Sequence, residues 1–158
     1  MSLNVRPATA DDVAACVGLV EQARARLATY EPRFWRRADG TAAPTATWFA
    51  HLVAQADTTF LVAVEGDATV GFLIGRPQPP PPVYDPGGPT VLIDDFCVQA
   101  PERWSDVGAA LLEAARRVLS ARGVAQIVVV CPAQDREKTA LLDRSDLSLA
   151  STWWTAAP

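Results

Sequence analysis

The alternation of apolar and polar positions divides the first third of the chain into one strand and two helices. Residues 3–9 (LNVRPAT) begin with alternating positions and predict a strand that ends in a turn. Thr9, followed by two aspartates, predicts a helix start, and apolar residues then recur at helical spacing from Val13 to about Ala28. The stretch YEPRFWRRADGTAAPT predicts either a short irregular helix or a loop. Thr45 is the predicted cap of a second helix over WFAHLVAQA.

Strands dominate the pattern that follows. Residues 60–64 and 70–74 predict two strands joined by a tight turn at EGD. Seven prolines and two glycines between Pro77 and Pro89 exclude regular structure and predict a stiff, extended loop over one face of the sheet. The remaining pattern predicts, in order, a strand over TVLIDDFCVQ, a helix from about Ser105 to Arg122, a buried strand over VAQIVVVC, a short helix from Ala133 to Ser145 and a last strand over LSLASTWW. No repeat or linker divides this series, so we predict one α/β domain over residues 1–158.

Composition and charge narrow the class of protein. A chain of 158 residues is long enough for one substantial core. The net charge of −4 argues against nonspecific nucleic-acid binding, which needs a basic face. No apolar run approaches the ~20 residues that span a bilayer, and no apolar signal region opens the chain, so we expect a cytoplasmic protein with no membrane partner. The three cysteines are far apart and His51 is the single histidine, which predicts buried thiols and no metal site.

The stretch RWSDVGAALLEAARRVL, residues 103–119, has the form of a helix start that holds a phosphate. The first turn of a helix carries unpaired N–H groups and a partial positive charge, which suit an anion. Gly108 permits close approach to the backbone, and Arg103 would add a charge-assisted contact. Asp106 opposes an anion unless its carboxylate points away and caps the helix. The alternative is that Ser105 or Asp106 caps a core helix that binds no phosphate.

With these motifs in this order, the sequence resembles the GNAT acetyltransferase superfamily over nearly its whole length. The best-matched stretches are VRPATADD, VGFLIG and IDDFCVQAPERWSDVGAALLEAA. Residues 103–108 resemble the family's acetyl-CoA motif, (Gln or Arg)-x-x-Gly-x-(Gly or Ala). Arg103 takes its first position, Asp106 replaces its first glycine and Gly108 fills its last position. The resemblance implies the GNAT fold, with a mixed, mostly antiparallel central sheet of six to seven strands flanked by about four helices.

The resemblance also implies acetyl-CoA as the co-substrate and indicates which residues contact it. In the family, the strand before the motif splays from its neighbour and uses backbone groups to bind the donor. By position, the residues expected to contact acetyl-CoA are Phe96, Cys97 and Val98 on that strand, and Arg103, Trp104, Ser105, Asp106, Val107, Gly108 and Ala109 in the motif and the helix.

Acetyl transfer to an amine requires a group that takes a proton from the amine. Asp94 and Asp95 are adjacent on a predicted strand, so we expect them to point to opposite faces, with one in the cleft. Several family members have a glutamate base at the position of Asp94, and we predict Asp94 as the catalytic base. The alternative is that one aspartate orders a loop while the other is solvated.

The group that protonates the leaving thiolate is harder to find in this sequence. Many family members carry a tyrosine acid within a pattern like Phe-Tyr-x-x-x-Gly-Phe. Here that pattern places Leu142 at the tyrosine and Asp146 at the glycine, and Leu142 has no proton to donate. Cys131 and Tyr84 are substitutes without a motif. Either the transfer proceeds by positioning and electrostatics alone, or the chain has kept the fold and lost the activity.

Aromatic and arginine residues in the first half predict an acceptor site. The acceptor of this fold binds over the sheet, and here we predict Tyr30, Trp35 and Tyr84 as substrate-binding residues for a small-molecule or peptide amine. The alternative for these aromatics is core or dimer contact. The predicted function is therefore an acetyl-CoA-dependent N-acetyltransferase.

Two other functions remain open from the sequence. The first is a catalytically inactive GNAT-like domain that binds a ligand or a partner protein. The second is an interaction protein that uses its proline-rich loop. Exposed tryptophans on the last predicted strand would also suggest a homodimer that forms through sheet edges.

Overall fold

The centre of the molecule is one five-stranded sheet. A computed structural model describes residues 2–158. The strands follow the order β1-β2-β3-β4-β5; the first four are antiparallel to their neighbours, and β5 is parallel to β4. Their bounds are Leu3–Pro7, Thr59–Glu65, Ala68–Pro77, Thr90–Val98 and Gln126–Val129. The sheet is mixed and mostly antiparallel as predicted, but it has five strands rather than six to seven.

Helices cover both faces of the sheet. They are α1 (Val13–Tyr30), α2 (Ala42–Val53), α3 (Val107–Ala121) and α4 (Arg136–Arg144). The apolar residues of α1 and α2 form one core on one face, and those of α3, together with Leu141 of α4, form a second core on the other. Within residues 2–158, no helix is both long and apolar enough to cross a bilayer.

The last predicted strand is not formed. Residues 147–154 have no regular secondary structure, and Leu149, Trp153 and Trp154 are all more than four-fifths exposed. An alternating pattern gives a strand only where a neighbouring edge supplies hydrogen bonds. Among the described residues, no strand pairs with this segment. Its absence accounts for part of the difference in strand number.

The start of α2 also differs from the prediction. Thr45 is not its cap, because the helix begins at Ala42 and Thr45 lies buried in the first turns, where its hydroxyl donates to the Thr41 carbonyl at 2.7 Å. Pro44 is tolerated there because the N–H groups of a first turn have no helical acceptor. The stretch between the two helices forms a loop, which decides between the two predicted alternatives.

An ion pair fixes the junction between β1 and α1. The Arg6 guanidinium bonds the Asp12 carboxylate at 2.7 and 2.9 Å, and the Thr9 N–H donates to that carboxylate at 2.7 Å. Arg6, opposed in part by burial, lowers the pKa of Asp12 to about 2. This junction sets where α1 begins, and α1 forms one wall of the site described next.

Candidate active site

The sheet opens between β4 and β5. The two strands pair only from Thr90 to Ile93 of β4, and the last bond between them joins the Val130 N–H to the Ile93 carbonyl at 2.9 Å. Beyond that point the chain leaves the sheet through Pro132 and enters α4. The later residues of β4 therefore have no strand on this side. The structure has the splay that the family resemblance implied.

A bulge in β4 lies at the point where the sheet opens. Asp94 and Asp95 together lie opposite the single residue Ile74 of β3. Ile93 and Phe96, on either side of the pair, both pack in the core next to α3. Both aspartates therefore fall on the α1 side of the sheet, and both line one cavity there. The expectation that they point to opposite faces is wrong, because the bulge interrupts the strand's alternation.

This cavity has a volume of about 450 Å³. Its walls come from α1, the loop after α1, the splayed part of β4, and α4 with the segment before it. Tyr30 and Trp35, two of the predicted substrate-binding residues, line it. Its charged residues are Arg24, Arg26, Arg36, Arg37, Lys138, Asp94, Asp95 and Asp135. A ligand in this cavity would thus meet both carboxylates and cations.

The two aspartates of the bulge differ in their surroundings. Asp94 is exposed, whereas Asp95 is partly buried. Burial raises the pKa of Asp95, and the negative charge of Asp94 raises it further; the cations of Arg24 and Lys138 oppose both effects. Asp95 consequently binds a proton more readily than a solvated aspartate does.

The open edge of β4 presents backbone groups to the cavity. The Gln99 N–H donates to Val70 of β3 at 2.9 Å, so the alternate residues Phe96 and Val98 direct their N–H and C=O groups away from β3. The Phe96 carbonyl lies 3.4 Å from the Lys138 amine, and the Val98 carbonyl lies 3.3 Å from the Arg26 guanidinium. Two cations therefore contact backbone carbonyls that form no hydrogen bond with a neighbouring strand.

Lys138 is a site residue that the sequence analysis missed. Its side chain is 4% exposed, and burial lowers its pKa. Its amine lies 5.1 Å from the ring centres of both Phe96 and Trp104, within cation–π distance. One signal was available in the sequence: Lys138 is the only lysine in a chain that otherwise uses arginine for its basic residues.

The predicted phosphate loop is held by an ion-pair network. The Arg103 guanidinium binds the Asp106 carboxylate at 2.9 and 3.0 Å and the Glu65 carboxylate at 2.6 Å. Arg103 lowers the pKa of Asp106, and the two carboxylates raise the pKa of Arg103. Arg103 is therefore engaged by protein carboxylates, rather than being the uncommitted anion contact that the motif suggested.

Asp106 occupies the N-cap position of α3, but its carboxylate is bound mainly by Arg103. The Asp106 side chain makes no N-cap hydrogen bond, and the Ser105 hydroxyl donates to the Glu102 carbonyl at 3.1 Å. Asp106 therefore begins α3 by position, without the side-chain capping bond that the alternative described. The first bond of the helix joins the Ala110 N–H to the Asp106 carbonyl, so the N–H groups of residues 107–109 have no acceptor within the helix.

Several side chains in the predicted acetyl-CoA contacts belong to the core instead. Trp104 and Val107 are buried beside α3, and the Cys97 side chain packs in the core of α1 and α2. A Cβ on Gly108 would lie 2.6 Å from the Trp104 ring and 3.0 Å from Leu141, so this glycine lets protein side chains approach. The side chains of Cys97, Trp104 and Val107 are therefore held mainly by contacts within the protein.

Neither of the substitute acids, Tyr84 and Cys131, is among the residues that line the first cavity. Tyr84 is 71% exposed in the proline-rich loop and lines a second cavity, so the structure does not bring it together with Tyr30 and Trp35. The Cys131 thiol lies 3.5 Å from the Thr139 hydroxyl, and burial raises its pKa.

Leu142 packs against the α3 core, and His51 is exposed on α2, stacked on Trp48. In the described residues, no three His, Cys, Asp or Glu side chains cluster as metal ligands would.

The family is decided by comparison with known sequences. The model described as "Acetyltransferase (GNAT) family" matches residues 21–142, which is more than half of the chain. The chain belongs to the GNAT acetyltransferase family. No curated protein sequence matches it. GNAT acetyltransferases use acetyl-CoA, so the splayed edge of β4 and the start of α3 are where a donor is to be sought.

Solved structures show that the GNAT fold extends over the whole chain. The tetramutant of the BH1408 protein from Bacillus halodurans is 19% identical, with a TM-score of 0.81 and coverage of 98% of this chain and 99% of that one. The predicted acetyltransferase of Clostridium acetobutylicum, solved with acetyl-CoA, is 13% identical, with a TM-score of 0.75 and coverage of 99% and 96%. Glucosamine-6-phosphate N-acetyltransferase from Arabidopsis thaliana is 13% identical, with a TM-score of 0.71 and coverage of 99% of both chains. At these identities the likeness concerns the fold.

Proposed function

We propose that this GNAT protein transfers an acetyl group from acetyl-CoA to a primary amine of a small molecule or peptide. The observation that carries the proposal is the bulge in β4, which turns Asp94 and Asp95 into one cavity where β4 and β5 part. A carboxylate there can accept a proton from an amine. The open β4 edge beside it can hold an acyl donor through hydrogen bonds.

Backbone groups at two places fit acetyl-CoA. The N–H groups of Phe96 and Val98 face the opening, and the N–H groups of residues 107–109 begin a helix whose positive end suits a diphosphate. Asp106 adds a negative charge at that end, and its pairing with Arg103 offsets this charge. Bound there, acetyl-CoA supplies an activated thioester carbonyl.

Asp94 is the proposed base. It is the exposed member of the pair, so an acceptor amine that enters from solvent meets it first. An ammonium would pair with the two carboxylates and lose its proton to Asp94, which leaves a neutral nucleophile. Tyr30 and Trp35 would contact the apolar part of the acceptor, and the arginines of the cavity would bind a negative group on it.

A transfer assay with paired variants tests this function. The purified protein is given acetyl-CoA and a panel of primary amines that includes amino sugars, aminoglycosides and short peptides. We expect Asp94→Asn to lower kcat/KM by about 10²- to 10⁴-fold, the usual contribution of a general base. Asp57→Asn, at an exposed turn away from the cavity, is the matched control and should match the unmodified protein. Full activity in the Asp94 variant would contradict the assignment.

The network at the start of α3 favours a second candidate, a GNAT-fold module that binds a ligand without acetyl transfer. Asp106 and Glu65 together outweigh the charge of Arg103. The resulting negative charge lies where a diphosphate would bind. If the protein is such a module, the transfer assay should show no consumption of the acetyl-CoA thioester with any amine in the panel.

A further inference from the structure

The opening between β4 and the segment before α4 contains a buried ammonium group that the proposed function does not yet use. Lys138 is 4% exposed, and its nearest acceptor is the backbone carbonyl of Phe96 at 3.4 Å. The rings of Phe96 and Trp104 flank its amine, each centre 5.1 Å away. Among the described residues, no carboxylate forms an ion pair with Lys138. Buried lysines are normally paired.

A purely structural role does not explain this residue well. Burying an ammonium carries a large desolvation cost, and an apolar side chain of similar size would often be as stable or more stable at such a site. Methionine or leucine would fill the same space between the two rings. The amine also reaches the Phe96 carbonyl at the open edge of β4. Lys138 lines the cavity together with Asp94 and Asp95.

We propose that Lys138 donates the proton that the departing thiolate of acetyl-CoA needs, in place of the tyrosine that Leu142 replaces. The inference rests on the proposed function. The acceptor nitrogen bonds to the acetyl carbon while the carbon–sulfur bond breaks, and the electron pair of that bond passes to sulfur. Lys138 gives a proton to the sulfur and becomes a neutral amine. Asp94 passes the ammonium proton to solvent before the attack and takes the second proton from the nitrogen as the amide forms, and exchange with solvent then returns Asp94 and Lys138 to their starting states.

The surroundings of Lys138 suit proton donation. Its pKa lies below that of a solvated lysine because of burial, which brings the ammonium closer to the range in which thiols titrate. Flanking rings and a carbonyl acceptor favour the charged form, so the residue is better placed to give a proton than to act as a nucleophile. The other titratable groups that face it are Asp94, Asp95 and Cys97 on β4, and Cys131 and Asp135 before α4.

Selective labelling gives a test that does not depend on finding the acceptor. Because Lys138 is the only lysine, protein grown with ¹³C-lysine shows one lysine side-chain signal set. We expect CoA, which carries the thiol product, to shift this signal and its titration midpoint, and desulfo-CoA to shift them much less. Equal effects of the two ligands, or binding of CoA without a lysine shift, would overturn the inference alone. Failure of CoA to bind would overturn the proposed function and the inference with it.

Kinetics give a second test. We expect Lys138→Met to lower kcat by about 10²- to 10⁴-fold with little change in the KM for acetyl-CoA, because only proton transfer is removed. In the unmodified protein, kcat should fall as the pH rises through the pKa of Lys138, and the variant should lose this limb. An unchanged rate and pH profile in Lys138→Met, or acetylation of Lys138 seen by mass spectrometry, would overturn the role.

Discussion

At the scale of one residue, Asp146 holds a backbone conformation that favours glycine. It follows α4, where the sequence analysis expected the glycine of the family pattern, and its φ of +56° lies in the left-handed region. Aspartate tolerates that region better than most residues, but only glycine enters it without a steric cost. The substitution therefore retains the turn after α4 at some cost in stability.

Replacing this residue with glycine should stabilise the protein. We expect Asp146→Gly to raise the free energy of unfolding by about 0.5–1 kcal/mol, because the strain saved exceeds the extra entropy of the unfolded chain. Asp143→Gly, inside α4, is the matched control and should lower it. Urea unfolding of the three proteins checks this. Equal losses in both variants would contradict the account of the turn.

The residue types in the site were easier to predict from the sequence than the orientation of their side chains. Adjacent carboxylates on a strand before a helix start identified Asp94 and Asp95, but the bulge that turns both into one cavity depends on pairing with β3. Lys138 carried no local sign of burial, because its surroundings come from β4 and the turn before α3. Directions and burial of this kind are set by tertiary contacts that one segment does not contain.

At the scale of elements, patterns with a partner in the fold were predicted well. The apolar stripe predicted a helix from about Ser105 to Arg122, and α3 runs over Val107–Ala121 after a short 3₁₀ turn. The alternating pattern of residues 147–154 was equally regular but found no partner edge, so no strand formed. The periodicity of a segment indicates which of its faces can be buried, whereas the strands beside it decide whether it pairs into a sheet.

The junction between the 3₁₀ turn and α3 should tolerate no side chain at Gly108. We expect Gly108→Ala to lower the free energy of unfolding by about 1–3 kcal/mol, because its Cβ would meet the Trp104 ring at 2.6 Å. Gly18→Ala in α1 is the matched control: a Cβ there meets nothing within 4 Å, so this change should stabilise by about 0.5–1 kcal/mol. Thermal unfolding measures both. A neutral Gly108→Ala would show that Trp104 can shift without cost.

At the scale of the whole molecule, the site lies where two neighbouring strands of the sheet separate. Each face of the sheet has its own apolar core, and the cavity forms where β5 leaves β4. Acetyl-CoA binding at this opening is the central claim, because both the proposed transfer and the role of Lys138 depend on it. The feature that opposes it is the charge of Asp106 and Glu65 around Arg103.

Calorimetric titration of acetyl-CoA and CoA into the unmodified protein and into Asp106→Gly tests this claim most directly. We predict saturable binding to the unmodified protein, since the Asp106 carboxylate is bound by Arg103 and makes no N-cap hydrogen bond in α3. We predict tighter binding to the variant, which lacks the opposing charge. Binding restored only in Asp106→Gly would favour the module without transfer. Absence of binding in both proteins would contradict the account.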